Sequence, residues 1–180
     1  MRNVKEIASL EEGTCTDRAV GVFVNEVGQR FFETDPAIIH KPTFAEMIEY
    51  TRTHPGAITF IPHLRTDLNA ALTYVAHWRD LPEMVFPLKN PPLYLADGGE
   101  KTTGKRCAAL PILRNLIRES LELVFIDAHS TQDAARKVQA GEADLCVTNE
   151  HGVEAHGLRI REQLKEMCIF WMPWVYDEGY

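Results

Sequence analysis

Three short stretches gather hydroxyl, amide and titratable side chains where an apolar run gives way to a helix start. The first is Glu12-Gly13-Thr14-Cys15-Thr16-Asp17. Its glycine permits close backbone approach, and two hydroxyls with unpaired N–H groups can grip a carboxylate. The same residues also read as a capping motif, Thr14 or Thr16 bonding the helix start with Asp17 complementing the dipole. Cys15 is a candidate nucleophile at a helix start, although no paired base is identifiable. The second stretch is Ile61-Pro62-His63. An imidazole at a strand end can serve as acid or base, or donate to a carboxylate, and strand ends are where α/β sheets collect ligands. The third, Thr148-Asn149-Glu150-His151, repeats the logic of the first, again with capping, here by Asn149, as the alternative.

Cations near loop edges extend this set. Arg65, Lys101, Lys105 and Arg106 can each pair with an anionic ligand, and the arginines can do so bidentately. His151 and His156 are five apart, which is not the i, i+4 spacing of helical metal ligands. The four cysteines (Cys15, Cys107, Cys146, Cys168) are scattered without a Cys-x-x-Cys pair, so neither a zinc site nor a disulfide framework is indicated. No metal and no cofactor is expected.

These residues need elements to hold them. Ile7 to Leu10 reads as a strand, followed by a helix carrying Ala19, Val20, Phe23, Val24 and Val27 at helical spacing. A helix over Phe44 to Thr53 stops at His54-Pro55-Gly56. Ala57 to Ile61 is a strand, and Leu68, Leu72 and Val75 mark a helix. Met84 to Leu88 and Leu93 to Ala96 are strands, and Asp97-Gly98-Gly99-Glu100 is the clearest linker. Then come a helix over Ile112 to Leu121 and a strand over Leu123 to Ile126. Ser130 or Thr131 caps the next helix, Asp133 lies in its first turn and Gly141 ends it. A strand over Leu145 to Val147, a helix to His156 and a strand over Met167 to Val175 complete the chain. The aromatic tail (Phe170, Trp171, Trp174, Tyr176) reads as packing. Strands alternating with helices predict an α/β fold with largely parallel sheet, and the order leaves one sheet or two open.

The chain has 180 residues, 45% of them hydrophobic, and a net charge of −7. That charge points away from nucleic acid and from anionic membranes. No apolar run approaches the ~20 residues that span a bilayer. The N-terminal residues lack the apolar core of a signal peptide, so the expected compartment is the cytoplasm.

The stretch Ser130-Thr131-Gln132-Asp133-Ala134-Ala135-Arg136-Lys137-Val138 resembles the Ser-Thr-x-x-Ala-Ala-Arg-x-Val helix of the prephenate dehydratase family. Glu12-Gly13-Thr14 is similar to that family's Gly-Pro-x-Gly-Thr loop, with Thr14-Cys15-Thr16 in place of Thr-Phe-Ser. Thr43-Phe44 begins a helix as in the family. Phe60-Ile61-Pro62-His63 stands where Val-Pro-Ile-Glu-Asn-Ser lies, and Gly157-Leu158 resembles Tyr-Gly-Leu. The resemblance implies a two-lobed, type 2 periplasmic-binding-protein-like fold with a central cleft. Residues 1–88 would form lobe 1 and residues 89–164 lobe 2, with 165–180 returning to lobe 1.

The departures shape the implied activity. The family's Thr-Arg-Phe, whose threonine assists loss of the ring hydroxyl, is replaced by Met167-Cys168-Ile169-Phe170-Trp171. Glu-Asn-Ser becomes Leu64-Arg65-Thr66, and Ser-His-Pro becomes Ala109-Leu110-Pro111. The closer likeness is to the prephenate decarboxylases of bacilysin-type antibiotic pathways, which share Val-Pro-His and a Lys-x-Gly…Leu-Thr-Asn-Glu pattern. Here those read Ile61-Pro62-His63, Gln139-Ala140-Gly141 and Val147-Thr148-Asn149-Glu150. The resemblance implies a cofactor-independent lyase that decarboxylates prephenate, or a related cyclic carboxylate, without aromatising it. His63 would orient or protonate the ring, and Thr14, Cys15, Thr16, Arg65, Arg106, Thr148 and Asn149 would hold the anion. The alternatives are a tropone-pathway relative with another substrate and a non-catalytic binding module. The partner is a small anionic cyclic carboxylate, and a homodimer is the candidate assembly.

Overall fold

A computed structural model of the chain describes residues 4–99, 104–117, 121–164 and 166–177. In chain order the strands are β1 (Glu6–Leu10), β2 (Ala37–Lys41), β3 (Ala57–Pro62), β4 (Trp78–Asp80), β5 (Phe86–Lys89), β6 (Leu93–Asp97), β7 (Arg106–Ala109), β8 (Val124–Asp127), β9 (Leu145–Asn149), β10 (Arg159–Gln163) and β11 (Cys168–Tyr176). The α-helices are α1 (Cys15–Val22), α2 (Phe44–Thr53), α3 (Thr66–Tyr74), α4 (Thr131–Gln139) and α5 (Glu150–Ala155). They divide into two compact units. One takes the chain up to Glu12, Thr16–Leu88 and the stretch from Cys168 onward, and the other takes Gly13–Cys15 and Lys89–Met167.

The first unit is built on a sheet of order β2-β1-β3-β11-β4, with β5 also paired to β11. β1 runs parallel to β2 and β3, whereas β11 is antiparallel to β3 and β4. β3 is buried along its whole length because both faces of the sheet are covered. One face meets α2 and α3 through Ala8, Leu10, Phe44, Met47, Ile61, Leu72 and Trp174. Elsewhere Phe23, Phe31, Phe32, Phe60 and Phe86 form a ring cluster, with Phe23 and Phe60 centroids 4.6 Å apart. Two prolines sit in the β3–β11 ladder without breaking it. The His63 N–H donates to the Phe170 carbonyl, which fixes the parity of the β3–β11 ladder. Pro62 (opposite Trp171) and Pro173 (opposite Phe60) then fall in pairs that exchange no hydrogen bonds, where a missing N–H costs nothing to that ladder.

The second unit holds a sheet of order β10-β6-β9-β7-β8. β7 is parallel to β8 and β9, and β6 is antiparallel to β9 and β10. α4 lies on one face, where Ala96, Ala108, Ala134, Ala135 and Cys146 are all fully buried; alanines let helix and strand approach closely. Leu93, Leu95, Leu113, Ile117, Val147 and Leu164 fill the other face. Cys107 and Cys146 lie on neighbouring strands but belong to opposite faces. Burial pushes the Cys107 thiol up to about 12 and raises that of Cys146 too, so neither is a ready thiolate.

The fold departs from the sequence expectation in definite places. Both sheets are mixed rather than largely parallel, because β11, β6 and β10 enter antiparallel to their neighbours. β2 and β10 are edge strands with mostly exposed residues, and β7 reads Arg-Cys-Ala-Ala; none carries the buried β-branched alternation that announces a strand. The expected helix from Ile112 is a 3-10 segment over Pro111–Leu116, and residues 118–120 lie outside the described residues. Met84 belongs to a 3-10 turn over Pro82–Met84 and the strand begins at Phe86. Asp97 is no linker residue. It ends β6 with no solvent exposure, held by Arg159, Arg161 and the Gly99 N–H. No helix among the described residues is long and apolar enough to cross a membrane.

Candidate ligand-binding site

The N-terminus of α4 is built as the sequence requires. Ser130 is the N-cap, its hydroxyl accepting from the Asp133 N–H at 3.0 Å, and the Asp133 carboxylate accepts in turn from the His129 N–H at 2.9 Å. Asn149 caps α5 in the same way, its Oδ1 accepting from Gly152 N–H at 3.0 Å. Asn149 has a second role. Its Nδ2 donates to the Gly13 carbonyl at 2.8 Å, and Gln132 Nε2 reaches both Asn149 Oδ1 (3.3 Å) and the Gly13 carbonyl (3.4 Å). Gly13 is at φ +76°, and a Cβ there would come within 2.0 Å of the His151 ring, so only glycine fits.

Thr14, Cys15, Thr148 and Asn149 therefore belong to one unit and gather around the C-terminal end of β9. Thr14 and Thr148 are buried, and Thr148 Oγ1 donates to the Thr131 carbonyl at 2.9 Å, tying β9 to the start of α4. Beside it, the Thr131 hydroxyl is buried and has no hydrogen-bond partner among the described residues. A buried polar group left in that state calls for a ligand or another explanation. Cys15, the first residue of α1, is a half-buried thiol outside any disulfide. Gln132 and Thr131 are not among the ligand-holding residues that the sequence suggests. The signal was there in part, since Gln132 occupies the first turn of a capped helix, but its partner Gly13 is 119 residues away.

Arg106 belongs to the same unit but not to this cluster. It opens β7, and because β7 and β9 are parallel it lies at the edge opposite Asn149. Its guanidinium is engaged bidentately by Asp144 (2.9 and 3.1 Å) and also donates to the Gly141 carbonyl at 3.3 Å. The Arg106 hydrogen bonds hold the Asp144 carboxyl below its ordinary range. A cleft of about 420 Å³ opens at this edge, lined by Arg106, Asp144, Val138, Gln139 and His156 among others. His156 Nδ1 bonds Gln139 Oε1 at 2.8 Å, and burial, followed by Arg136 and His151, holds the imidazole below its ordinary value.

Thr16, His63 and Arg65 belong to the other unit. Thr16 is buried in α1. Arg65 is clamped bidentately by Asp67 (2.8 and 3.0 Å) and lies 5.0 Å over the Phe44 ring. His63 follows β3, and its Nδ1 accepts from the Phe170 N–H at 3.0 Å. Lys105 pairs with Glu122, and Lys101 lies outside the described residues. Among the described residues no three His, Cys, Asp or Glu side chains converge as metal ligands.

No family model matches the chain, and no curated protein does. Solved structures do. The periplasmic VFT2 domain of BvgS from Bordetella pertussis aligns at TM-score 0.62 and 14% identity, covering 97% of this chain and 81% of its own. The aliphatic sulphonate binding protein SsuA from Escherichia coli aligns at TM-score 0.55 and 12% identity, over 96% of this chain and 65% of its own. A prephenate dehydratase from Staphylococcus aureus aligns at TM-score 0.50 and 13% identity, over 97% of this chain and 68% of its own. The chain thus spans about two thirds of the last two. The fold is that of the two-lobed, periplasmic-binding-protein-like α/β domains, the class the sequence resemblance implied.

Proposed function

We propose that this chain binds a small anionic ligand, a cyclic carboxylate, at the start of α4 and the loop around Gly13. The observation that carries the reading is the buried Thr131 hydroxyl, without a partner among the described residues, set at the N-terminus of a capped helix beside the Gln132–Asn149–Gly13 cluster. Helix N-termini favour anions, and ligands of α/β sheets gather at the carboxyl ends of strands such as β9. The Escherichia coli neighbour is named for a small anion, a sulphonate, which supports the same ligand class.

A second reading makes the chain a cofactor-independent lyase of prephenate or a related ring carboxylate, decarboxylating without aromatisation in antibiotic-type metabolism. It is supported by Ile61-Pro62-His63, by the α4 sequence and by the absence of Thr-Arg-Phe before β11. One experiment separates the two. Purified protein is titrated with prephenate, heat of binding is measured, and the mixture is followed by proton NMR. Binding with an unchanged ring supports the ligand-capture reading. Loss of the ring carboxylate with retention of a non-aromatic ring supports the lyase. Rapid phenylpyruvate formation refutes the decarboxylase, and absence of both binding and turnover refutes prephenate as ligand.

A further inference from the structure

Thr148 ties β9 to α4, Asn149 ties it to the Gly13 loop, and the next side chain with chemistry of its own, His151, reaches that same loop. His151 is the second residue of α5 and is exposed. A Cβ built on Gly13 would find its three nearest heavy atoms in this one ring, Cδ2, Nε2 and Cγ. The imidazole edge that carries Nε2 therefore lies against the Gly13 backbone, whose carbonyl Asn149 and Gln132 hold. Gly13, Gln132, Asn149 and His151 all belong to the second unit. Neither ring nitrogen of His151 has a hydrogen-bond partner among the described residues. The rings of His40, His54, His63 and His156 each spend one nitrogen on a neighbour.

A carboxylate that leaves water needs compensation for its charge. The start of α4 and the Thr131 hydroxyl offer partial charges. Every lysine and arginine among the described residues of this unit pairs with a carboxylate of the same unit, as Arg106 does with Asp144 and Arg136 with Asp133. Of the other histidines here, His156 sits in the cleft at the opposite edge, and His129 reaches the start of α4 through its backbone N–H, which donates to Asp133. We infer that His151 is the basic side chain of the anion site, donating from a ring N–H to the ligand carboxylate beside the Thr131 hydroxyl. The inference rests on the anion-binding reading and names the side chain that serves it. An imidazole keeps at least one N–H whether neutral or protonated, so donation requires no particular charge state. The sequence resemblance gave the imidazole role to His63; the ring set on this loop is His151.

Prephenate titration of the full-length protein by calorimetry tests the role. His151→Phe keeps a flat ring against Gly13 and removes both nitrogens, whereas His151→Gln keeps an N–H donor. His151→Phe should weaken binding roughly tenfold or more, the usual worth of a hydrogen bond to a charged group, and His151→Gln should stay within about threefold of wild type. His129→Phe should bind as the wild type does. A ring that only packs on Gly13 predicts no loss in His151→Phe, and that result would overturn the assignment; so would a loss in His129→Phe in its place. A second measurement needs no variant. In 15N-labelled wild type, saturating prephenate should move the ring-nitrogen signals of His151, and signals that stay fixed would overturn the role even if His151→Phe failed to fold. Thr131→Val separates the two readings: if it weakens binding while His151→Phe does not, the anion site stands and the His151 role falls. Absence of prephenate binding by the wild type would overturn both.

Discussion

The Asn149 side chain donates to the Gly13 carbonyl at 2.8 Å while accepting from the Gly152 N–H at 3.0 Å, so one carboxamide caps α5 and anchors the loop that precedes α1. Aspartate is as good an N-cap as asparagine but has no N–H for Gly13. Asn149→Ala is expected to cost about 2 kcal/mol, the cap and a buried hydrogen bond each supplying about 1. Asn149→Asp should keep the cap and still lose about 1 kcal/mol or more, since a carboxylate would face the carbonyl. Urea denaturation measures both; an Asp variant as stable as wild type would mean that the Gly13 bond contributes nothing.

Gly13 faces two constraints, a φ of +76° and the His151 ring at 2.0 Å from any added Cβ. Gly13→Ala should destabilise the protein by at least about 2 kcal/mol, of which about 1 is backbone strain. Adding His151→Ala should return only the steric part. Full recovery in the double variant would show that the left-handed conformation carries no cost.

Thr131→Val removes a hydroxyl that has no partner among the described residues. A hydrogen-bonded hydroxyl would cost about 1 kcal/mol to lose, but an unsatisfied one should leave Tm unchanged or raise it. The same substitution is expected to weaken prephenate binding, read by titration calorimetry. A clear fall in Tm would show that the hydroxyl has a structural partner, and unchanged affinity would remove Thr131 from the site.

Asp97 has no exposed surface and is held by two arginines, Arg159 and Arg161, each partly exposed. Asp97→Ala should cost about 3 kcal/mol because it leaves those cations without their counter-charge at the end of β6. Chemical denaturation of the variant checks this, and a loss under about 1 kcal/mol would place the pair among ordinary surface bridges.

Stability should also fall as pH drops below about 6.5, in a step traceable to His156. Its imidazole is held below the ordinary 6.5, first by burial and then by Arg136 and His151. Between the folded value and 6.5 the unfolded chain binds more protons, so stability declines as pH falls through that window and is flat with respect to this group above it. The carboxyls of Asp144 and Asp67, depressed by Arg106 and Arg65, lose their contribution only further down, below their ordinary 3.8. Tm measured from pH about 8 to about 5 should show the first step in wild type and lack it in His156→Gln.

Local chemistry made part of this protein legible from its sequence. Helix starts at Thr43, Ser130 and Asn149 rest on a side-chain oxygen and an N–H three residues on, a relation confined to one turn. Gly141, at φ +73°, closes α4 for an equally local reason. The alternation of apolar strands and helices carried the α/β class, and a handful of short motifs carried the two-lobed fold.

The tertiary structure alone decided which polar groups meet. Arg106 and Asp144 are 38 residues apart, Gln132 and Gly13 are 119, and His63 and Phe170 are 107. Each pairing depends on strand order and register, and a one-residue slip would turn every side chain to the other face. Composition and spacing leave register open, so a cation suited to a ligand and one captured by its own sheet read alike in the chain. The same holds for His63: the sequence supplies the imidazole, and the antiparallel approach of β11 brings the Phe170 N–H to its Nδ1.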